Sequence, residues 1–360
     1  MSQKITFYPL GNAESILLEL SNTKKILFDF ADTHTDDFSD KRIDLMKELS
    51  AISSFDVVVF SHAHDDHVKG SKDFFEFNHA RKYRGNGRAK IKELWVSSAF
   101  ILDTDIDSED ARVIRQEARY RLKEGCGIKV FAAPDELNTW LENNGLSVDD
   151  CSHLIIHAGT LLDSSEHSLG DEVQFFVHAP FSEDAEDVTD KNEPSIVMQV
   201  RLFNLNRETN ILITGDTPYS VLNKIIVRSE DNGNKEYLFW DIYDIPHHCS
   251  YTGLSDEKGD YRTIPTAEVK KLLSEYSQDN SIMIASCKPI EDHAEDNQPP
   301  HIEAKRAYDF FSDGKKFLST MEHPSKVNPK PICYKIDYLG IQEDRARNSN
   351  ITTSPAPRAG

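Results

Sequence analysis

At residues 56–60 a continuous apolar run, DVVVF, opens straight into SHAHDDHVKG. The run has the length of a buried strand, so the segment after it sits on a strand-to-helix loop at the end of a covered sheet. That loop carries His62, His64, Asp65, Asp66 and His67, three imidazoles and two carboxylates within six positions. Imidazole nitrogen and carboxylate oxygen suit zinc and similar divalent ions, and this spacing lets one rigid loop serve two adjacent ions. A solvated turn with incidental histidines would have no reason to follow a buried strand.

The same arrangement recurs twice. Asp216 ends the apolar stretch NILITGDTP, where a strand-end carboxylate can reach a central cleft and bridge two metals. A plain N-cap before Pro218 fits the same geometry. DIYDIPHHCS ends a third strand with His247 and His248, placed so that one can ligate metal while its neighbour points at substrate. Alone, the pair would read as surface histidines; three strand-end signals together favour a site.

ITFYPL, SILLEL and KILFDF, separated by Gly11-Asn12 and Ser21-Asn22-Thr23, predict a β-meander. Leu45, Leu49 and Ile52 share a helical face over 39–52, with Ser39 as its cap. Residues 75–125 are polar and carry Arg81, Lys82, Arg84, Arg88 and Lys90. They read as an insertion near the site, with a helix at 107–123, and the basic segment is expected to meet an anionic substrate. IKVFAA, VQFFVHA, SIVMQVRLF, NILITGD, LFWDIYDIP, SIMIAS and PICYKIDYL supply a second strand-rich half, with a helix through Val269, Leu272 and Leu273. Two such halves predict an α/β fold, a four-layer αββα sandwich. One domain is expected over 1–342, followed by a disordered tail at 343–360, where nothing apolar remains to pack.

Hydrophobic residues make up 38% of the chain, enough for a full core, while the net charge of -20 repels long polyanions. No apolar run reaches membrane-span length and the start lacks the order of a secretory signal, so the cytoplasm is expected. Five cysteines without a CxxC pair point to reduced thiols.

His62, His64, Asp66 and His67 match the H-x-H-x-D-H motif in register, and the chain resembles the metallo-β-lactamase superfamily. FYPLGNAESILLEL, ILFDFAD, NEPSIVMQV, ITGDTP and IPHHCS make it similar, more narrowly, to the soluble hydrolase domain of the competence protein ComEC and its stand-alone relatives. The resemblance implies a binuclear hydrolase with two divalent ions, zinc or else manganese. His62 and His64 would hold the first ion, Asp66, His67 and His247 the second, and Asp216 would bridge them. Asp66 would also orient the attacking water or hydroxide, and His248 would give a hydrogen bond or proton to the departing oxygen. The implied substrate is a phosphodiester, a small or cyclic nucleotide or single-stranded nucleic acid. Other branches of the superfamily open lactam, lactone or thioester carbonyls.

The chain departs from the pattern at three places. The histidine expected two residues after the middle-strand proline is Ser182, which leaves the first ion short of a nitrogen, with His178 as a candidate. The glycine after the paired histidines is Cys249, and the late Gly-His-Pro reads Gln298, Pro299, Pro300, with His301 beyond. An incomplete metal shell would suit a third reading, a non-catalytic scaffold or sensor.

Overall fold

The computed structural model describes residues 2–85, 87–183, 192, 194–292 and 298–344. The first half of the chain lays down β1 (Gln3–Phe7), β2 (Ile16–Glu19), β3 (Lys25–Phe28), β4 (Ser54–Phe60), β5 (Phe75–Glu76), β6 (Ala89–Ser97), β7 (Ile128–Phe131) and β8 (Ile155–Ile156). Between them run α1 (Leu45–Leu49), α2 (Asp65–Val68), α3 (Ser71–Phe74), α4 (Ser98–Leu102), α5 (Glu109–Glu124), α6 (Asp135–Asn143) and α7 (Val148–Cys151). The second half gives β9 (Leu161–Leu162), β10 (Val173–Ala179), β11 (Val197–Asn204), β12 (Arg207–Ile213), β13 (Trp240–Asp244), β14 (Ser277–Ala285) and β15 (Lys316–Ser319). Its helices are α8 (Tyr219–Asp231), α9 (Ala267–Ser274) and α10 (Ile302–Phe311), and the hairpin β16 (Ile332–Asp337) and β17 (Gly340–Glu343) closes the fold.

Strands pair in the order β17-β16-β1-β2-β3-β4-β6-β7-β8 in a ten-stranded sheet that also holds β5. The order β15-β14-β13-β12-β11-β10-β9 makes a seven-stranded second sheet. Side-chain alternation sets the layers. Val57 and Val59 face a core shared with Ile211, Ile213 and Ile242 of the second sheet. Val58 and Phe60 face the helices α1–α7, while Leu212 and Tyr243 face α8–α10. The result is a four-layer αββα sandwich. DVVVF lacks polar alternation because apolar layers cover it on both faces.

Four local expectations change. The polar stretch 75–125 is no insertion: β6 lies between β4 and β7 in the first sheet, and only its first half, at the sheet's edge, is polar. IKVF (β7) and ICYKID (β16) also join the first sheet, the latter by pairing along β1 from Gln3↔Ile336 to Phe7↔Ile332. The helix at 39–52 shrinks to α1, capped by Asp44, which accepts from Lys47 N–H (2.8 Å). Glu343 still belongs to β17, and 345–360 lie outside the described residues.

β3, β4, β6, β7 and β8 run parallel, as do β12, β13, β14 and β15. Each sheet therefore gathers its carboxyl ends along one edge, where open α/β sheets hold their ligands. The opposite edge carries Cys126, the one exposed thiol; the other four are buried and all five are reduced.

Candidate metal centre

Past Phe60 the chain buries Ser61 and His62, takes an extended step at His64 and winds the single turn α2 through Asp66 and His67. Neighbouring strand ends pin this loop. Phe30 N–H donates to the His67 carbonyl (3.0 Å), Asp32 N–H to that of Lys69 (2.9 Å), and Glu14 N–H to that of Asp66 (2.9 Å). Opposite it, Gly215 brings the end of β12 against Ser61. Its φ is +52°, and a Cβ there would lie 3.3 Å from Ser61 Cβ and Oγ, so any side chain would force Asp216 back.

His247, His248 and Cys249 all lie in the left-handed region, at φ 49°, 53° and 64°. Each such residue costs about 1 kcal/mol or more, and runs of this kind concentrate at functional sites. The turn is held by His247 N–H donating to the Gly215 carbonyl (3.0 Å) and by His301 N–H donating to that of Cys249 (3.1 Å). His248 Nδ1–H donates to the Ser286 carbonyl (2.7 Å), which aims Nε2 into the cleft.

The two edges meet at Asp216. Its Oδ1 lies 3.1 Å from His67 Nε2 and 3.5 Å from His248 Nε2. Its Oδ2 lies 3.8 Å from both His62 Nε2 and His247 Nε2. Two groups of ligand atoms result, each spanning less than 4.8 Å: His62, His64, Asp66 and Asp216, and Asp66, His67, Asp216 and His248. Asp66 and Asp216 belong to both. The second group contains His248, where the sequence led to His247. His248, buried, stands in it 3.2 Å from Asp66 Oδ2, whereas His247 lies on the Oδ2 side of Asp216 with His62. The left-handed turn reverses the two side chains relative to a simple strand end.

The chemistry of this donor set fits a cation. His67 Nδ1 is 2.7 Å from Asp29 Oδ2, so a neutral ring donates there and turns the lone pair of Nε2 toward Asp216. His67 Nε2 and Asp216 Oδ1 are both fully buried without a hydrogen-bond partner. With a neutral ring that lone pair would face a carboxylate at 3.1 Å in a dry site; positive charge relieves this, either a proton on His67 or a cation held between the two. The proton affinities express the same demand. Burial alone would lower the His67 pKa, but the Asp216 and Asp29 charges drive it well up. Burial, and then the His67 charge, hold His62 well down. Burial would raise Asp216, yet the His248 and His67 charges push its carboxyl well below the usual range.

Several participants were not singled out in the sequence. Asp29 accepts from Ser61 N–H (2.7 Å) as well as holding His67; it too is a carboxylate at the end of an apolar strand, KILFDF. Asp244, pushed up to about 7 by burial, accepts from Thr214 N–H (3.3 Å). Glu14 is buried near Asp29 and His67, and no local pattern marks it. Three candidates fall elsewhere. His178 faces α8, with Nε2–H donating to the Tyr237 carbonyl (2.9 Å), and burial lowers its pKa to about 4. His301 Nδ1 accepts from Tyr251 N–H (3.3 Å), and Cys249 packs in the second outer core. The basic segment also lies away from the site. β5, just before it, and the first residues of β6, just after it, pair at the start of β4, a strand length from His62.

No family model matches the chain, and no curated protein does. Among solved structures it is similar to the class B3 di-zinc metallo-β-lactamase LRA-12 from an Alaskan soil metagenome. That match has 12% identity, covers 66% of this chain and 76% of that one, and has a TM-score of 0.28. It is also similar to the metallo-β-lactamase SMB-1 in a complex with mercaptoacetic acid, at 13% identity over 66% and 77% of the two chains, TM-score 0.29. Both overlaps are loose, and the layers and ligand groups above stand on this chain's own contacts. No helix among the described residues is long and apolar enough to cross a membrane.

Proposed function

We propose that the chain is a binuclear metal-dependent hydrolase of phosphodiesters. The observation that carries this reading is the sharing of Asp66 and Asp216 between two ligand groups drawn from both sheets. His62, His64 and His247 would serve the first ion, with His247 Nε2 replacing the nitrogen that Ser182 cannot give. His67 and His248 would serve the second, with both carboxylates shared. Bound zinc, or manganese in its place, supplies Lewis-acid charge and lowers the pKa of water. The protein contributes orientation. Asp29 fixes the His67 tautomer, Ser286 fixes His248, and Thr252 Oγ1 holds His247 Nδ1 at 3.0 Å. Asp66 and His247, with side chains 34% and 24% exposed, form the open side that substrate meets. The phosphodiester assignment draws on the resemblance to the ComEC-like group.

Elemental analysis should find two ions per chain. Bis(p-nitrophenyl) phosphate should be hydrolysed with zinc or manganese and not with chelator, faster than a chromogenic β-lactam. Turnover of the lactam alone would move the site to carbonyl substrates. No turnover, with both ions lost on mild dialysis, would favour a scaffold.

A further inference from the structure

On the outer helical layer of the second half, α10 buries Ala304, Ala307 and Tyr308 and turns Phe310 to solvent. Residues 255–264, on the loop that follows the paired histidines, lie against this helix and bring a cation to it. Arg262 Cζ sits 3.7 Å from the centre of the Phe310 ring and 5.3 Å from that of Phe311. Its Nε is buried without an acceptor, and Arg262 has no ion pair among the described residues. Five N–H donors and no acceptor make a guanidinium dependent on a partner. Stacking covers its flat face and leaves its edge, the geometry that receives a carboxylate.

The loop is held in place. Thr263 N–H donates to the Glu303 carbonyl (3.1 Å) and Thr263 Oγ1–H to that of Lys258 (2.6 Å). Arg306 lies over the Tyr261 ring (4.3 Å) and donates to the Tyr261 carbonyl (3.2 Å). Gly259, at φ +76°, makes the corner. A Cβ there would come 2.6 Å from the Arg262 carbonyl oxygen, so only glycine lets the chain close so tightly. Asp260 stands next on that corner, exposed and, like Arg262, without an ion pair among the described residues. One face thus carries both an unpaired cation and an unpaired carboxylate.

Between these charges the surface is apolar. Tyr261, Ile264 and Phe310 are 68%, 61% and 60% exposed. At about 150–250 Å² for a whole aromatic side chain, these fractions add to roughly 350 Å², within the size range of functional patches. Two such patches pressed together remove about 700 Å² of apolar surface, the apolar share of a specific interface of about 1,200 Å². Tyrosine, phenylalanine and arginine are also the residues that interfaces concentrate. A chain with net charge -20 repels its own copies unless the contact supplies cations. A two-fold axis through this face would do so twice, since each copy offers what the other lacks.

We infer that this face pairs with a second copy of the chain about a two-fold axis, Phe310 and Ile264 at its centre and Arg262 of each copy against Asp260 of the other. Nothing in the inference rests on the hydrolase reading. The clefts stay open: α10 starts at the site edge, where His301 meets Cys249, and Phe310 lies about 13 Å farther along the helix. Sedimentation velocity on the full chain, from about 1 to 200 μM, should show a dimer that dissociates over the micromolar range. Arg262→Glu and Phe310→Asp should each weaken it at least about tenfold. Phe38→Asp, at a wholly exposed ring on the loop before α1, should change it by less than about twofold. Arg262→Glu combined with Asp260→Arg exchanges the charges across the axis and should regain affinity to within about threefold of wild type. Far-UV circular dichroism matching wild type shows that each variant is folded. A chain still monomeric at about 200 μM would overturn the inference, and so would a dimer indifferent to Arg262→Glu or Phe310→Asp, or one that Phe38→Asp weakens equally. An exchanged pair no tighter than Arg262→Glu alone would overturn the contact between Arg262 and Asp260.

Discussion

Replacing His248 and His247 one at a time by alanine separates their roles, because the left-handed turn sends them to opposite sides of Asp216. His248→Ala should cost one ion, since Nε2 touches both shared carboxylates and Nδ1 is locked by Ser286. His247→Ala should weaken the other site about 10- to 100-fold in metal affinity, the usual scale for an orienting or partial ligand. Competitive zinc titration reads both. If His247→Ala keeps both ions at full affinity, it is no ligand and its exposed ring serves the substrate instead. The pattern of histidines and carboxylates in 62–67 was legible in the sequence because the chemistry is written locally. The placement of His247 and His248 on opposite sides of Asp216 was not, since it depends on three consecutive backbone angles. Glu14 and Asp244 stayed hidden for a related reason: single carboxylates acquire meaning only when another strand end closes over them.

At the scale of elements, α5 shows what the polar composition of 75–125 concealed. Glu117 is fully buried and pairs with Arg121 Nε (2.7 Å), and Arg121 also donates to the carbonyls of Ile91 (2.9 Å) and Gly127 (2.8 Å). These charges fasten the helix to β6 and β7. Read along the chain they belong to the helix expected within a polar insertion; in the fold that helix is present and they are a buried network under a central strand. Removing one partner strands the other in the dry layer, so Glu117→Ala should destabilise by about 3–5 kcal/mol, measured as a drop in the urea midpoint at unchanged slope. A drop below about 1 kcal/mol would mean that water reaches Arg121. The apolar run of β4 was legible because burial on both faces leaves no other reading. β6 was missed because its first half is polar where it meets the sheet's edge.

Across the whole molecule, acid sensitivity has an identifiable source outside the metal cluster. His178 is neutral in the fold, its pKa lowered to about 4 by burial, against about 6.5 in an unfolded chain. Below pH 6.5 the unfolded state takes up a proton that the folded state refuses. The stability is complete above 6.5, falls as the pH drops, and is fully lost below 4, about 3 kcal/mol in all and about 2 kcal/mol of it by pH 5. His178→Gln, which keeps a donor for the Tyr237 carbonyl and cannot titrate, should flatten the loss between pH 7 and 5 by that amount in urea denaturation. An unchanged slope would place the acid sensitivity elsewhere. The parallel strands have a further, practical consequence. Every ligand side chain lies at one end of the sandwich, and Cys126, the only thiol in reach of solvent, precedes β7 at the other, about a strand's length away. A maleimide surface would capture the native protein by that single point, with every molecule standing the same way up and its cleft open to the flowing solution.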